Sequence, residues 1–428
     1  MNLFAALFTV VAGIFLFRLP RRLAPLPLII GSTYMTLGSS LEIGPFHFTV
    51  IRLLILIGAA RVIVRRERIN GKLTSVDKFV LWWSVATVIS SVFHNSVSEA
   101  LVFRLGLVYT ALGLYFLLRI FLQTTEDIWQ VAKLAVVALI PISLEMISES
   151  VNGRDYFSFL GGVPEYCDIR NGKLRAQGPF AHSILAGTVG AVCLPLAVLW
   201  WKRNRKLALV GMAATLSIVV CSQSSGPLMT TIFTIGAMFL WKFRRYMRLI
   251  RWSVVIGVLL LSLVMKAPVY YILDRIDLAG GSTGWHRAKL IDSAIHYIGD
   301  WWLGGTDYTA NWTPEAGMTE NDTDITNHYI RMAVWGGLPM MALFIGQIVA
   351  AFNRVGKAIK ARWEYPNEEK YLIWTYGCAL FGHVATMMSV SYFDQSVFFL
   401  YFALAVISSI SIEPESETEL EPAEVIAS

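Results

Sequence analysis

Long apolar runs recur from one end of the chain to the other, and short clusters of charge separate them. Each run approaches the roughly 20 residues a helix needs to cross a hydrocarbon core. The pattern predicts helices near 3–17, 23–41, 48–64, 79–93, 101–118 and 128–147. A second set follows near 181–201, 207–221, 227–241, 253–265, 329–352, 371–390 and 397–412. The expected fold is an all-α polytopic membrane bundle of about 12–13 crossings, a single membrane domain over 1–412. The residues from 413 onward alternate Glu with Pro, Ser and Thr and have no apolar face to bury, so a disordered acidic cytoplasmic tail is expected there.

The basic clusters give the bundle a side. Arg18/Arg21/Arg22, Arg61/Arg65/Arg66/Arg68/Lys72, Lys202/Arg203/Arg205/Lys206, Lys242/Arg244/Arg245/Arg248/Arg251 and Arg354/Lys357/Lys360/Arg362 all fall between apolar runs. By the positive-inside rule they face the cytoplasm. Composition agrees: 55% of residues are hydrophobic and only 15% charged, against about 25% in soluble domains, which excludes a soluble fold. The net charge of +6 comes from these loop clusters and needs no nucleic acid to explain it. Of the 4 cysteines only Cys167 lies in a polar segment, so neither a disulfide framework nor a zinc site is expected. The N-terminus lacks a signal-peptide cleavage pattern, and its first apolar run is read as a retained helix.

Two polar segments, about 150–179 and 266–327, are too long for turns, and the topology places both on the outer face. Rich in Gly, Trp, Tyr and single charges, they are where chemistry is expected. The first ends in Arg175-Ala-Gln-Gly-Pro-Phe-Ala-His182, where Gly-Pro-Phe opens a membrane helix. A guanidinium beside a helix start suits a phosphate or pyrophosphate; pairing with Asp168 or Glu165, or snorkelling, is the plainer role. The second holds Gly284-Trp-His286-Arg287 at the head of an amphipathic helix. Lys289, Asp292, Ser293, His296 and Asp300 share one face, and Ile291, Ala294, Ile295, Ile298 and Trp302 the other. Arg287 falls on the apolar side, turned inward, where a charge needs a partner or ligand.

That segment closes on Asp324-Ile-Thr326-Asn327-His328-Tyr329. Thr326 or Asn327 caps the next helix, and His328 stands in its first turn, placed to bond a substrate or shuttle a proton. The turn Cys221-Ser-Gln-Ser224-Ser-Gly-Pro227 either lines a polar cavity or is a plain hairpin. Arg52, Arg104, Glu145, His383 and Asp394 are ionisable groups amid apolar sequence, with Arg104 and Glu145 a plausible pair.

Taken in order, Arg175-Ala-Gln-Gly-Pro-Phe-Ala-His, Ser222-Gln-Ser-Ser-Gly-Pro, Gly284-Trp-His-Arg287, Trp301-Trp-Leu-Gly-Gly-Thr and Thr326-Asn-His-Tyr-Ile resemble the O-antigen ligase and O-antigen polymerase superfamily. The resemblance is best from about 175 to 344. It implies a GT-C-like membrane glycosyltransferase that takes a glycan from undecaprenyl pyrophosphate, with two arginines, matching Arg175 and Arg287, on the pyrophosphate. A ligase delivers the glycan to a lipid A core sugar; a polymerase delivers it to another lipid-linked repeat. A histidine before a membrane helix assists transfer. Aligning Asn327, Tyr329 and Gly337 puts that position on Thr326, with His328 two residues later and His182 and His286 the next candidates. The implied site is therefore Arg175, Arg287 and His328, with His182, His286, Thr326, Asn327 and Ser224 around the substrate. No cofactor or metal is required. The rival classes are a transporter or flippase of lipid-linked sugars and a scaffold subunit of a polysaccharide export complex. No repeated halves of the transporter kind are visible, and a scaffold would leave the two arginines without a task.

Overall fold

A computed structural model describes residues 1–275, 284–313 and 322–412. Among them the chain is mostly helical with little sheet. The first half comprises α1 (Leu3–Arg18), α2 (Pro25–Tyr34), α3 (Val50–Arg65), α4 (Ser75–Ile89), α5 (Val97–Phe121) and α6 (Thr125–Asn152). The second comprises α7 (Ser183–Leu199), α8 (Arg205–Cys221), α9 (Ser225–Phe239), α10 (Met247–Val264), α11 (Gly284–His296), α12 (Ile298–Trp301), α13 (His328–Ala361), α14 (Asn367–Met387) and α15 (Ser396–Ser409). Two antiparallel hairpins interrupt them: β1 (Ser40–Ile43) with β2 (Phe46–Thr49), and β3 (Asp168–Arg170) with β4 (Lys173–Arg175). The acidic tail from 413 onward lies outside the described residues.

Five helical stretches are long and apolar enough to cross a membrane: Ser75–Phe93, Val97–Phe121, Thr125–Asn152, Ser225–Val264 and His328–Ala361. Three shorter apolar helices, Leu3–Arg18, Ser183–Leu199 and Ser396–Ser409, accompany them. The last two form the centre. Nearly every residue of α7 and α15 is buried, whatever its position around the helix, as expected of helices walled in on all sides. At the other extreme α10 buries none of its residues.

Local chemistry sets the boundaries. Thr74 and Asp77 form a capping box that starts α4, and Thr124 and Asp127 do the same for α6. The helix expected over 23–41 is shorter. It stops at Tyr34, and Leu41 belongs to the first hairpin. The run Thr36-Leu-Gly-Ser-Ser40 is polar enough to leave the helix, and Ser39 donates its hydroxyl to the Leu160 carbonyl instead of continuing the turn. The helix expected over 329–352 runs on to Ala361 and breaks at Gly336–Gly337, where Gly337 has φ 72°. Into that break come residues 302–306 of the second polar segment. Leu338 N–H donates to the Trp302 carbonyl at 2.7 Å, and Thr306 N–H to the Val334 carbonyl at 2.9 Å. A Cβ on Gly337 would lie 2.4 Å from the Leu303 oxygen, so only glycine permits the approach.

The amphipathic helix of the second polar segment exists as α11, but its inward face differs from expectation. Ile295, Ile298 and Trp302 are exposed, and the buried stripe is His286, Leu290 and Ala294 at four-residue spacing. This stripe packs with Trp301, Trp312, Ile325, Ala333 and Val334 as a satellite core. Helical spacing alone could not distinguish a face packed on α13 from a face left to another apolar environment. The expected Arg104–Glu145 pair does not form. Arg104 bonds His94, Ser90 and the Trp335 carbonyl, while Glu145 accepts the Tyr156 N–H.

Candidate active site

Arg175 is aimed by a hairpin. Asn171 and Gly172 both take positive φ, 52° and 72°, the turn that suits two antiparallel strands. Its register sets Asp168 opposite Arg175. One guanidinium nitrogen donates to Asp168 at 3.2 Å, so the plainer pairing expectation is met with Asp168, while Glu165 pairs with Arg154. The other donates to Ser224 Oγ at 2.9 Å. The Arg175 side chain is buried, with Nε unpartnered. Burial first, then the nearby Arg170 charge, lowers its pKa, and Asp168 works in the opposite sense. It remains a cation near neutrality.

Ser224 is the residue before α9, and no side chain caps that helix start among the described residues. The helix end that meets Arg175 is therefore the start of α9. The expectation had been the start of the helix after Gly-Pro-Phe. That helix, α7, begins only at Ser183 and is capped by His182, whose Nδ1 accepts the Ile184 N–H at 3.1 Å. Burial, followed by the charge of Arg175, holds His182 below its ordinary pKa, so it is neutral at pH 7. Arg287, in the first turn of α11, lines a groove of about 250 Å³ with Ser225, Gly226 and Ser389; apolar side chains of α9 and α14 form the rest of its wall. Arg175 bonds Ser224 and Arg287 lines the same groove as Ser225, so the two arginines, far apart in the chain, both lie near the start of α9. A helix start with guanidiniums nearby favours an anion.

The remaining candidates fall on the segment before α13. Asn327 is the cap: its Oδ1 accepts the Tyr329 and Ile330 N–H groups, and its Nδ2 donates to the Met388 carbonyl. Thr326 takes no part in the cap, and its buried hydroxyl has no partner among the described residues. His286 is buried and donates from Nε2 to the Asp324 carbonyl at 2.8 Å, which spends it on holding α11 to this segment.

His328 does not join the arginines. It lines a separate cavity of about 330 Å³ with Arg331, Asp394, Trp83, Trp335 and Arg52. Its ring packs against Phe344 and Tyr392, and its Nδ1 accepts the Tyr392 N–H at 3.2 Å. A neutral ring in that position carries its proton on Nε2 and presents a donor there. The arrangement suits holding an acceptor oxygen better than taking its proton.

Between the two cavities runs the segment from Met388 to Gln395. It was overlooked as a unit, although its Ser-Tyr-Phe-Asp-Gln-Ser run is conspicuously polar between apolar helices. Ser391 donates to the Ile325 carbonyl, Asp394 accepts the Ala181 and Ser396 N–H groups, and Gln395 donates to the Pro179 and Met35 carbonyls. These bonds stitch the end of the first polar segment to the end of the second.

One cluster has the donors of a metal site. Carboxylate atoms of Glu145, Glu149 and Asp155 lie within 4.8 Å of one another. Both oxygens of Glu149, however, already accept backbone N–H groups. No family model matches the sequence, and no curated protein matches it.

Proposed function

We propose that this chain is a polytopic membrane glycosyltransferase of the O-antigen ligase and polymerase type, moving a glycan from undecaprenyl pyrophosphate to a sugar acceptor on the outer face of a bacterial inner membrane. Its apolar helices cross the bilayer about a dozen times, in a GT-C-like bundle with the two polar segments outside. The convergence of Arg175 and Arg287 on the uncapped start of α9 carries this reading. The pyrophosphate of the donor lies there, and the apolar groove between α9 and α14 beneath Arg287 receives the first isoprene units.

The chemistry follows from that placement. An acceptor hydroxyl attacks the anomeric carbon, the bond from that carbon to the phosphate oxygen breaks, and the electron pair leaves with the pyrophosphate. The guanidiniums stabilise the charge that grows on the leaving oxygen, and such fixed donors contribute about 3 kcal/mol each. The cavity on the other side of the 388–395 segment receives the acceptor. There the His328 Nε2–H orients an oxygen of the acceptor remote from the reacting hydroxyl, which itself reaches the anomeric carbon at the arginines and gives its proton to water on the outer face.

The test is complementation of hosts lacking their own polymerase or ligase, with glycan on lipid and on finished polymer separated by gel. Wild type is expected to restore long or attached glycan. Arg175→Ala and Arg287→Ala, accumulating normally in the membrane, are expected to pile up the undecaprenyl-linked repeat. Full function in both variants would make the arginines interface anchors and return the chain to the transporter or scaffold class.

A further inference from the structure

The arginine at the start of α9 owes its position to a second buried group on a different helix. Glu149 lies in the last turns of α6 and is fully buried. Its two oxygens each accept the Gln177 N–H at 3.0 Å, and Oε2 also accepts the Gly178 N–H at 2.9 Å. These are the second and third residues after Arg175. On the other side Ala176 N–H donates to the Cys221 carbonyl at 3.0 Å, three residues before Ser224. The backbone that carries Arg175 is therefore clamped between the end of α6 and the end of α8. Gly178 has φ 55°, and a Cβ there would lie 3.1 Å from Glu145 Oε2. The chain passes directly over the carboxylates and turns there.

We infer that Glu149 is a positioning residue: it fixes the segment that aims Arg175 at the pyrophosphate. This inference rests on the transferase reading and deepens it. Bonds from N–H groups to a carboxylate are stronger than neutral ones. Glu145 and Asp155 stand on the same footing, accepting the Tyr156 and Phe157 N–H groups, so four backbone donors of the first polar segment end on three carboxylates. Glu149 has the most donors of the three. Asp155 is pushed up to about 7, by burial first and then by the Glu149 charge, and readily keeps a proton beside it. Cys167 and Cys221 are the other titratable groups facing Glu149.

A structural brace would weaken everything equally. A positioning residue acts through Arg175 alone, and a double-mutant cycle separates the two. The full chain in lipid nanodiscs is titrated with farnesyl pyrophosphate as the probe. Glu149→Gln is expected to weaken binding about tenfold, the size of one lost charge-assisted bond. In an Arg175→Ala background the same substitution is expected to change binding little, and in an Arg287→Ala background to cost its full tenfold. Where Glu149→Gln fails to accumulate, Glu149→Asp, which keeps the charge but cannot reach both N–H groups, is expected to show the same pattern. Unchanged binding in Glu149→Gln, or equal losses in both arginine backgrounds, overturns the positioning role and leaves the transferase reading intact. A wild-type protein that does not bind the probe overturns both.

Discussion

The two cavities on either side of the 388–395 segment are built from opposite materials. The arginine side is an uncapped helix start, two guanidiniums on separate polar segments and an apolar groove. The histidine side is a cavity lined by Trp83, Trp335 and Tyr392 together with Arg52, Arg331 and Asp394, in which His328 already spends Nδ1 on a backbone N–H. On the transferase reading the first holds the charged donor and the second an oxygen of the acceptor. A transfer reaction needs both, because the donor brings the charge and the acceptor brings the hydroxyl. A carrier that moves one lipid-linked sugar has no use for two differently furnished cavities.

Several substitutions can break this division of labour. Loss of either arginine should have the largest effect. Arg175→Ala or Arg287→Ala is expected to lower transfer roughly a hundredfold, about 3 kcal/mol, with weaker binding of a pyrophosphate probe. Lysine in place of either should recover only part, since it lacks the two-pronged fork. Gly337→Ala comes next. The left-handed backbone and the Leu303 oxygen at the site of a Cβ are expected to cost about 2 kcal/mol. Because the break in α13 ties down the α11–α12 arm, thermal melting and probe binding should fall together. His328→Ala should then lower the rate roughly tenfold, about 1.5 kcal/mol, with probe binding unchanged. A parallel loss of probe binding would show that the two sides are one site. Smallest is Asn327→Ala, which removes the cap of α13 and is expected to cost about 1 kcal/mol of stability, read as a lower melting temperature at unaltered probe affinity.

Much of the fold was legible because apolar run length and charge clusters are strong signals. The starts of α6, α7, α9 and α13 fall within a few residues of expectation. What failed were properties that one run cannot carry. Ile295, Ile298 and Trp302 are as apolar as a core face and yet are exposed, because α11 packs through His286, Leu290 and Ala294. The site was half legible. Arg175, Asn327 and Ser224 were named from helix starts and turn chemistry and Arg287 as a charge on the apolar face of an amphipathic helix, and the structure brings Arg175, Ser224 and Arg287 to the start of α9 or near it. The Asn171-Gly172 turn, which sets Asp168 across from Arg175, was available in the sequence but not used. Glu149 had no such signal, since its role depends on a contact 28 residues away in the chain. The separation of His328 from the arginines was equally invisible, because only packing puts residues 388–395 between them.

The measurement that bears most directly on the central claim is transfer by the purified protein in proteoliposomes. These would hold an undecaprenyl-pyrophosphate-linked repeat and an acceptor, with no nucleotide sugar present. The account predicts a new glycosidic bond on the acceptor and release of undecaprenyl pyrophosphate by wild type, and neither by Arg287→Ala. Movement of the intact lipid-linked repeat from one leaflet to the other, with no new bond formed, would contradict it.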